Sequence, residues 1–170
     1  MTPLRIETTR LVIMELTIDM AAEIQRQSQD EQTRRFVPDE VFDTLEEAQE
    51  AVRMLTNAYQ SPDGPYVYAV VRKDHVLLGY VQLCRIDEGW EIGYHIGMEH
   101  RGQGYAAESV RAFLPAIMGR LGIDQVWGVV DEHNGASCRV LERCGFTLIE
   151  RGEGLYHGAV KPRRRYLYKV

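Results

Sequence analysis

The chain has 170 residues, of which 45% are apolar and 26% are charged, and these values are typical of a globular protein with its own core. The formal net charge of −5 gives no general attraction to nucleic acid or to an anionic membrane surface. No apolar run approaches the ~20 residues that span a bilayer, and the N-terminus lacks a signal-peptide core. The three cysteines have neither disulfide nor metal spacing. We therefore expect a cytoplasmic protein with reduced thiols, no membrane segment and no bound metal.

The first third of the chain is predicted to hold one strand and two helices. Residues 10–16 are rich in aliphatic and β-branched side chains, which favours a strand. Thr17 is placed to cap the helix that follows. Residues 30–43 have no clear period and indicate a loop with a short helix. Thr44 and Glu47 then form a capping box at the start of an amphipathic helix.

Three strands separated by short turns come next. The turns at 73–75 and 87–89 are of hairpin length, so these strands are expected to pair in antiparallel fashion. Gly79 inside the second strand indicates a bulge. The predicted strands are 66–71, 76–86 and 90–97.

The last part of the chain alternates helices and strands. A helical period begins after Arg101, is expected to kink at Pro115 and stops at Gly122. The remaining predicted elements are a strand at 124–130, a helix at 134–144, and strands at 146–149 and 165–170 joined by a loop at 152–162. The order predicts one mixed α/β domain over residues 1–170, an α+β arrangement with a mostly antiparallel sheet flanked by helices.

A glycine-rich turn lies between a strand and a helix in the stretch 91–108. Gly102 and Gly104 allow positive φ and a close approach of the backbone to a ligand. The backbone N–H groups of the first helical turn have no partners inside the helix, and the helix dipole adds positive potential. This combination is suited to binding a diphosphate.

Two motifs in this order resemble those of the GNAT superfamily of N-acetyltransferases. The first is Arg101-x-x-Gly104-x-Ala106 after an Ile-Gly-Tyr-x-Ile strand. The second is Asn134-x-x-Ser137, followed by Leu141-Glu-Arg-Cys-Gly-Phe146. The opening Glu7-Thr-x-Arg-Leu11 is similar to the branch that acetylates the N-termini of ribosomal proteins. The resemblance covers essentially the whole chain, and it implies a GNAT-like fold, acetyl-CoA as co-substrate and an amine acceptor.

The resemblance also implies where acetyl-CoA binds. Its diphosphate would lie in the turn at 101–106, and its pantetheine arm would follow the strand end at 94–98. A backbone N–H near Met98 would polarise the thioester carbonyl. The implied cofactor-binding residues are Ile96, Gly97, Met98, Arg101, Gly102, Gln103, Gly104, Tyr105, Ala106 and Asn134.

Glu91 and Ser137 are the candidate catalytic residues. Glu91 is the carboxylate best placed by sequence to accept a proton from the amine, and His95 on the same strand face is the other candidate. The resemblance implies that Ser137 donates to the leaving thiolate. The alternatives are a solvated strand-end charge for Glu91, a packed residue for His95 and a serine that bonds backbone for Ser137.

Two further functions remain open from the sequence. A non-catalytic acyl-CoA-binding regulatory module would need no base or acid. An RNA-associated protein would use the basic cluster Lys161, Arg163, Arg164 and Arg165, although the negative net charge argues against nucleic acid. The acceptor could be a protein N-terminus, an aminoglycoside, a polyamine or an amino acid, and the resemblance allows a homodimer.

Overall fold

A computed structural model of the protein describes residues 2–170. Its strands are β1 (Arg5–Glu7), β2 (Leu11–Glu15), β3 (Tyr66–Arg72), β4 (Leu77–Ile86), β5 (Gly89–Ile96), β6 (Gln125–Asp131), β7 (Thr147–Tyr156) and β8 (Ala159–Lys169). Its helices are α1 (Ala21–Gln27), α2 (Glu31–Phe36), α3 (Leu45–Ala58), α4 (Tyr105–Leu121) and α5 (Gly135–Arg143). Short 3-10 turns cover Ile18–Met20, Pro38–Glu40 and Met98–His100.

All eight strands form one sheet in the order β1-β2-β3-β4-β5-β6-β8-β7. Every pair is antiparallel except β5 with β6, which run parallel. The predicted mixed α/β fold with a mostly antiparallel sheet is therefore confirmed. No helix within residues 2–170 is long and apolar enough to cross a membrane.

Helices pack on both faces of this sheet. Alternation along β3 directs Tyr66 and Tyr68 into a core with α4, and Val67 and Ala69 into a second core with α1 and α3. Because helices cover both faces, a central strand can be apolar along its whole length, and the sequence of β3 is an example.

Capping chemistry explains where the helices begin. Thr44 Oγ1 accepts the Glu47 N–H at 3.2 Å, while the Glu47 carboxylate accepts the Asp43 N–H at 2.9 Å, so the predicted start of α3 is confirmed. Thr17 makes no side-chain capping bond, and that prediction is wrong because the 3-10 turn Ile18–Met20 precedes α1. Asp30 instead caps the short helix α2.

The glycine and proline predictions have different outcomes. The β3–β4 register shifts opposite Gly79, where a Cβ atom would lie 1.8 Å from the His95 carbonyl oxygen, so the bulge is confirmed. Gly122 ends α4 with φ of 66°. The helix Tyr105–Leu121 continues through Pro115.

The loop predicted at 152–162 is wrong. These residues belong to the long β7–β8 hairpin, in which Gly152 pairs with Arg163 and Tyr156 pairs with Ala159. Most of β7 is exposed to solvent, so its sequence carries no apolar alternation from which a strand could be recognised. The hairpin extends the sheet, and at its tip His157 Nδ1 lies 2.5 Å from Asp39 Oδ1.

Candidate active site

The sheet opens where β5 and β6 separate. Their parallel pairing consists of Glu91 with Trp127 and Ile92 with Gly128, and the strands diverge beyond that point. A cavity of about 460 Å³ occupies the gap, and Tyr94, Ser137 and the glycine-rich turn lie on its walls. The gap exposes strand edge, which can hydrogen-bond an extended ligand.

The glycine-rich turn has the backbone geometry of an anion site. Gly102 and Gly104 adopt φ of 76° and 82°. The first helical hydrogen bond runs from the Glu108 N–H to the Gly104 carbonyl at 3.0 Å. Among the described residues 2–170, no backbone carbonyl accepts a hydrogen bond from the N–H groups of residues 102–107. These donors and the N-terminus of α4 can bind a phosphate.

The N-terminal residues hold this turn in place, which sequence reasoning missed. Arg10 Nη1 donates to the Gln103 carbonyl at 2.9 Å, and the same guanidinium stacks 4.3 Å from the Tyr105 ring centroid. Glu108 accepts from Arg10 Nε at 2.7 Å and from Thr8 Oγ1 at 2.6 Å. The sequence signal for these contacts was the Glu7-Thr-x-Arg-Leu11 pattern.

The Arg101 side chain turns toward α2. Its Nη1 lies 2.8 Å from Asp30 Oδ2, and its Nε donates to the Ile96 carbonyl at 2.8 Å. Burial acts to raise the pKa of Asp30, but hydrogen bonds from Arg101 and Thr33 outweigh it and lower the pKa to about 2. Most of the positive charge of Arg101 is therefore compensated within the protein.

Other predicted cofactor residues fall into two groups. The cavity is lined by Ile96, Arg101, Gly102, Gly104, Tyr105, Ala106 and Asn134, and it is not lined by Gly97, Met98 or Gln103. The Gly97 N–H donates to the Leu78 carbonyl at 2.8 Å. Met98 is 64% exposed and begins the 3-10 turn that leads away from β5. The carbonyl-polarising donor expected near Met98 thus lies outside the cavity lining.

Asn134, Ser137 and Tyr94 form a polar group on the cavity wall. Asn134 Oδ1 caps α5 by accepting the Ser137 N–H at 3.2 Å. The Tyr94 hydroxyl lies 2.7 Å from Ser137 Oγ and donates to the Ser137 carbonyl at 3.1 Å. Tyr94 therefore fixes the start of α5 against β5.

A second cavity, of about 590 Å³, lies on the α1–α3 face of the sheet, where the β7–β8 hairpin also contributes to its wall. Glu91, Glu40 and Cys84 line both cavities. Burial raises the pKa of Glu91 to about 7, and nearby cations only partly offset this shift. Glu91 can therefore exchange a proton near neutral pH at the junction.

Glu40 and Cys84 complete the junction between the cavities. Gln82 Nε2 donates to Glu40 at 2.8 Å, and burial raises the pKa of this carboxyl group. Burial, reinforced by Glu91 and Glu40, raises the pKa of Cys84 to about 12. A thiol so strongly protonated is a poor nucleophile. Glu40 lies in the stretch without a period, so the sequence offered no signal for it.

His95 is a mostly buried, neutral residue on the wall of the first cavity. Its Nε2 lies 2.8 Å from Thr33 Oγ1, and the Thr33 hydroxyl donates to Asp30 at 2.5 Å. The Thr33 oxygen must then accept from Nε2–H, which leaves Nδ1 without a partner among the described residues. Burial lowers the pKa of His95 to about 4. Of the alternatives for His95, this geometry favours a packed residue.

The described residues contain no cluster of three or more His, Cys, Asp or Glu side chains that could hold a metal ion. The walls of the two cavities contain the glycine-rich turn, the desolvated Glu91 carboxyl group and the Ser137–Tyr94 pair.

Comparisons with known proteins identify a family and similar folds. Residues 10–147 match the family model "Acetyltransferase (GNAT) domain". The chain is 28% identical over 145 residues to the uncharacterized N-acetyltransferase YoaA of Bacillus subtilis, a match that covers 83% of this chain and 81% of the relative.

Solved structures of similar fold include acetyltransferases with stated ligands or substrates. One is the Salmonella typhimurium acetyl transferase that modifies the N-terminal serine of ribosomal protein L7/L12, with a TM-score of 0.81, 18% identity and coverage of 98% and 99% of the two chains. Another is the microcin C7 self-immunity acetyltransferase MccE in complex with acetyl-CoA and AMP, with a TM-score of 0.82, 16% identity and coverage of 96% and 94%.

Proposed function

The chain belongs to the GNAT family of acetyltransferases, and we propose that it transfers an acetyl group from acetyl-CoA to a primary amine by direct attack within a ternary complex. The observation that carries this proposal is that two cavities, one beside the glycine-rich turn and the other on the α1–α3 face of the sheet, share lining residues that include Glu91. Acetyl-CoA would occupy the cavity beside the glycine-rich turn, and the amine would occupy the other.

Acetyl-CoA supplies the activated acetyl group, and the protein would hold it mainly through backbone. The N–H groups of residues 102–107 suit its diphosphate, since no backbone carbonyl of the described residues accepts a hydrogen bond from them. The edge of β5 beyond Ile92 suits the pantetheine arm, because β6 has separated from it. Asn134 lies on the same wall of the cavity.

Glu91 would accept the proton that the amine must lose. The α-amine of a peptide N-terminus has a pKa near ~8, and burial raises the pKa of Glu91 to about 7, so proton transfer from such an amine to Glu91 is nearly balanced. Direct attack is favoured over an acetylated cysteine because Cys84, at the junction, has a strongly raised pKa.

Ser137 would donate a hydrogen bond to the departing sulfur, which leaves as a thiolate. The Tyr94 hydroxyl lies within hydrogen-bond distance of both the Ser137 hydroxyl and carbonyl, and so holds the serine at the cavity wall. We assign Tyr94 as a positioning residue.

The test is thiol release from acetyl-CoA with a panel of amines, alongside the melting temperature with and without CoA. The panel contains peptides with free N-termini, amino acids, a polyamine and an aminoglycoside. The proposal predicts a CoA-dependent rise in melting temperature and acetylation of at least one amine class. Stabilisation by CoA without acetylation of any amine would instead support the non-catalytic binding module, and the absence of any CoA effect would contradict both functions.

A further inference from the structure

The basic segment at the start of β8 contains one arginine that lacks an ionic partner. Lys161, Arg164 and Arg165 lie 3.9, 3.1 and 3.3 Å from carboxylate oxygens of neighbouring residues. Arg163 forms no ion pair with any of the described residues 2–170. An unpaired guanidinium in a partly buried position is costly unless a ligand or solvent compensates it.

The β7–β8 hairpin holds the Arg163 guanidinium in a fixed position. Nη1 donates to the Leu155 carbonyl at 2.7 Å, and Nε is buried without a hydrogen-bond partner in the described chain. The guanidinium lies over Gly154, where a Cβ atom would come within 2.2 Å of Nε. A glycine is therefore needed to seat this side chain, and Arg163 lines the 590 Å³ cavity assigned to the amine.

Neighbouring charges on the wall of this cavity compensate one another. Asp39 lies 2.5 Å from His157, and Glu88 lies 3.5 Å from Arg165. The groups left over are the Arg163 cation and the two carboxyl groups at the junction. Burial raises the pKa of Glu91, and first His157 and then Arg163 act against this shift, so both side chains lie within electrostatic reach of the carboxyl group. A cavity with one cation and an ionisable carboxyl group is complementary to a zwitterion.

Most of the remaining wall is apolar. Residues from α1, α3 and β3 supply it, among them Ile24, Val52, Leu55 and Val67. Such a wall favours an uncharged hydrocarbon group and disfavours a polycation, whose further ammonium groups would have to be desolvated.

Resting on the proposed acetyl transfer, we infer that the acceptor is a free amino acid with an apolar side chain, whose carboxylate binds Arg163. Its amine meets Glu91, and its side chain enters the apolar part of the cavity near Val52. Arg163 is then a specificity-determining residue: it selects amines that also carry a carboxylate.

The test compares leucine, leucinamide and isoamylamine, which share a side chain but differ at the carboxyl position. Initial rates of thiol release at saturating acetyl-CoA give kcat/KM for each. The wild type should prefer leucine, and Arg163→Gln should lower kcat/KM for leucine roughly 10- to 150-fold, the usual range for a lost charge-assisted hydrogen bond. The loss should appear mainly in KM, and isoamylamine should be affected far less. Arg163→Lys should recover part of the preference.

Arg164→Gln is the matched control, because Arg164 pairs with Glu132 and lines neither cavity. It should keep the preference for leucine. The same three amines are also titrated into the CoA-bound protein by calorimetry, which gives the preference even without turnover.

Each outcome decides the inference. A wild type that acetylates or binds isoamylamine or leucinamide as well as leucine would overturn it, as would a leucine preference that survives in Arg163→Gln. Acetylation of peptide N-termini with no use of leucine would overturn the inference and leave the proposed acetyl transfer intact. Binding of leucine that depends on Arg163, with no transfer to any amine, would support the carboxylate site and contradict the acetyl transfer.

Discussion

Glu91 owes its proposed chemistry to its surroundings, because burial raises the pKa of its carboxyl group to about 7. Only the ionised form can act as a base, so the rate of the wild type should rise with pH and level off above about 7. Glu91→Gln should remove this dependence and lower kcat by about 10²- to 10⁴-fold, a common contribution of a general base. The measurement is kcat against pH at saturating substrates, with the acetyl-CoA dissociation constant as the control that should stay unchanged. An identical profile in the variant would exclude Glu91 as the base.

The ionised Glu91 carboxylate should lower the free energy of unfolding at high pH. The folded-state pKa lies above the ordinary value of 4.5, so the folded protein holds this proton more tightly than the unfolded chain. The free energy of unfolding should therefore fall as pH rises from about 4.5 to above 7. Glu91→Gln, which stays neutral, should be more stable than the wild type at pH 8 by about 1–3 kcal/mol. Urea unfolding at pH 8 and pH 5 measures this, and a variant less stable at pH 8 would show that the carboxylate has stabilising partners.

Several site residues could not be found from the sequence because their roles depend on distant contacts. Glu91 and Ser137 were recognisable from their motifs, and they remain predictions as catalytic groups. Arg10 reaches a carbonyl 93 positions away, and Glu40 meets Gln82 across 42 positions. No local pattern encodes such pairs. In the sequence Arg163 is one member of a basic cluster. The structure distinguishes it, because Lys161, Arg164 and Arg165 have carboxylate partners among the described residues and Arg163 does not.

At the scale of elements, the start of β2 supports the glycine-rich turn at the start of α4. Glu108 on α4 holds Arg10, and Arg10 holds the Gln103 carbonyl. Glu108→Gln should weaken CoA binding by about 3- to 10-fold, since loss of one charge-assisted bond costs ~1 kcal/mol at a half-exposed position. Calorimetry with CoA measures the change. Glu7→Gln is the control, because within residues 2–170 the one ion pair of Glu7 is with exposed Arg5 on β1. Equal CoA affinity in both variants would refute the support role.

Elements with strong local signals were predicted well. The capping box located the start of α3, and the apolar strands β3, β4 and β5 with their short turns located the central meander. Strands were predicted at 146–149 and 165–170, which overlap β7 and β8, but the rest of the hairpin was predicted as a loop because β7 is mostly exposed and lacks alternation, and the arginines at the start of β8 do not look like strand residues. Propensity and periodicity report burial, so an exposed strand gives neither signal.

At the scale of the whole molecule, the proposed separation of the two substrate cavities follows from the parallel pairing of β5 with β6, which is the one parallel pair among the described strands. The cavity proposed for acetyl-CoA lies between the glycine-rich turn, α5 and the edge of β5, and the cavity proposed for the amine lies on the α1–α3 face. They share lining residues near the point where β5 leaves β6. Strand order of this kind depends on contacts between residues far apart in the chain. The sequence motifs implied the fold only through the resemblance to a family.

This arrangement makes the reaction order testable. Initial rates of thiol release are measured over a grid of acetyl-CoA and amine concentrations, with the best amine of the panel. Direct attack between the two cavities predicts double-reciprocal lines that intersect, because both substrates must be bound before CoA leaves. Parallel lines, together with a protein whose mass has increased by one acetyl group, would contradict direct attack of the amine on acetyl-CoA.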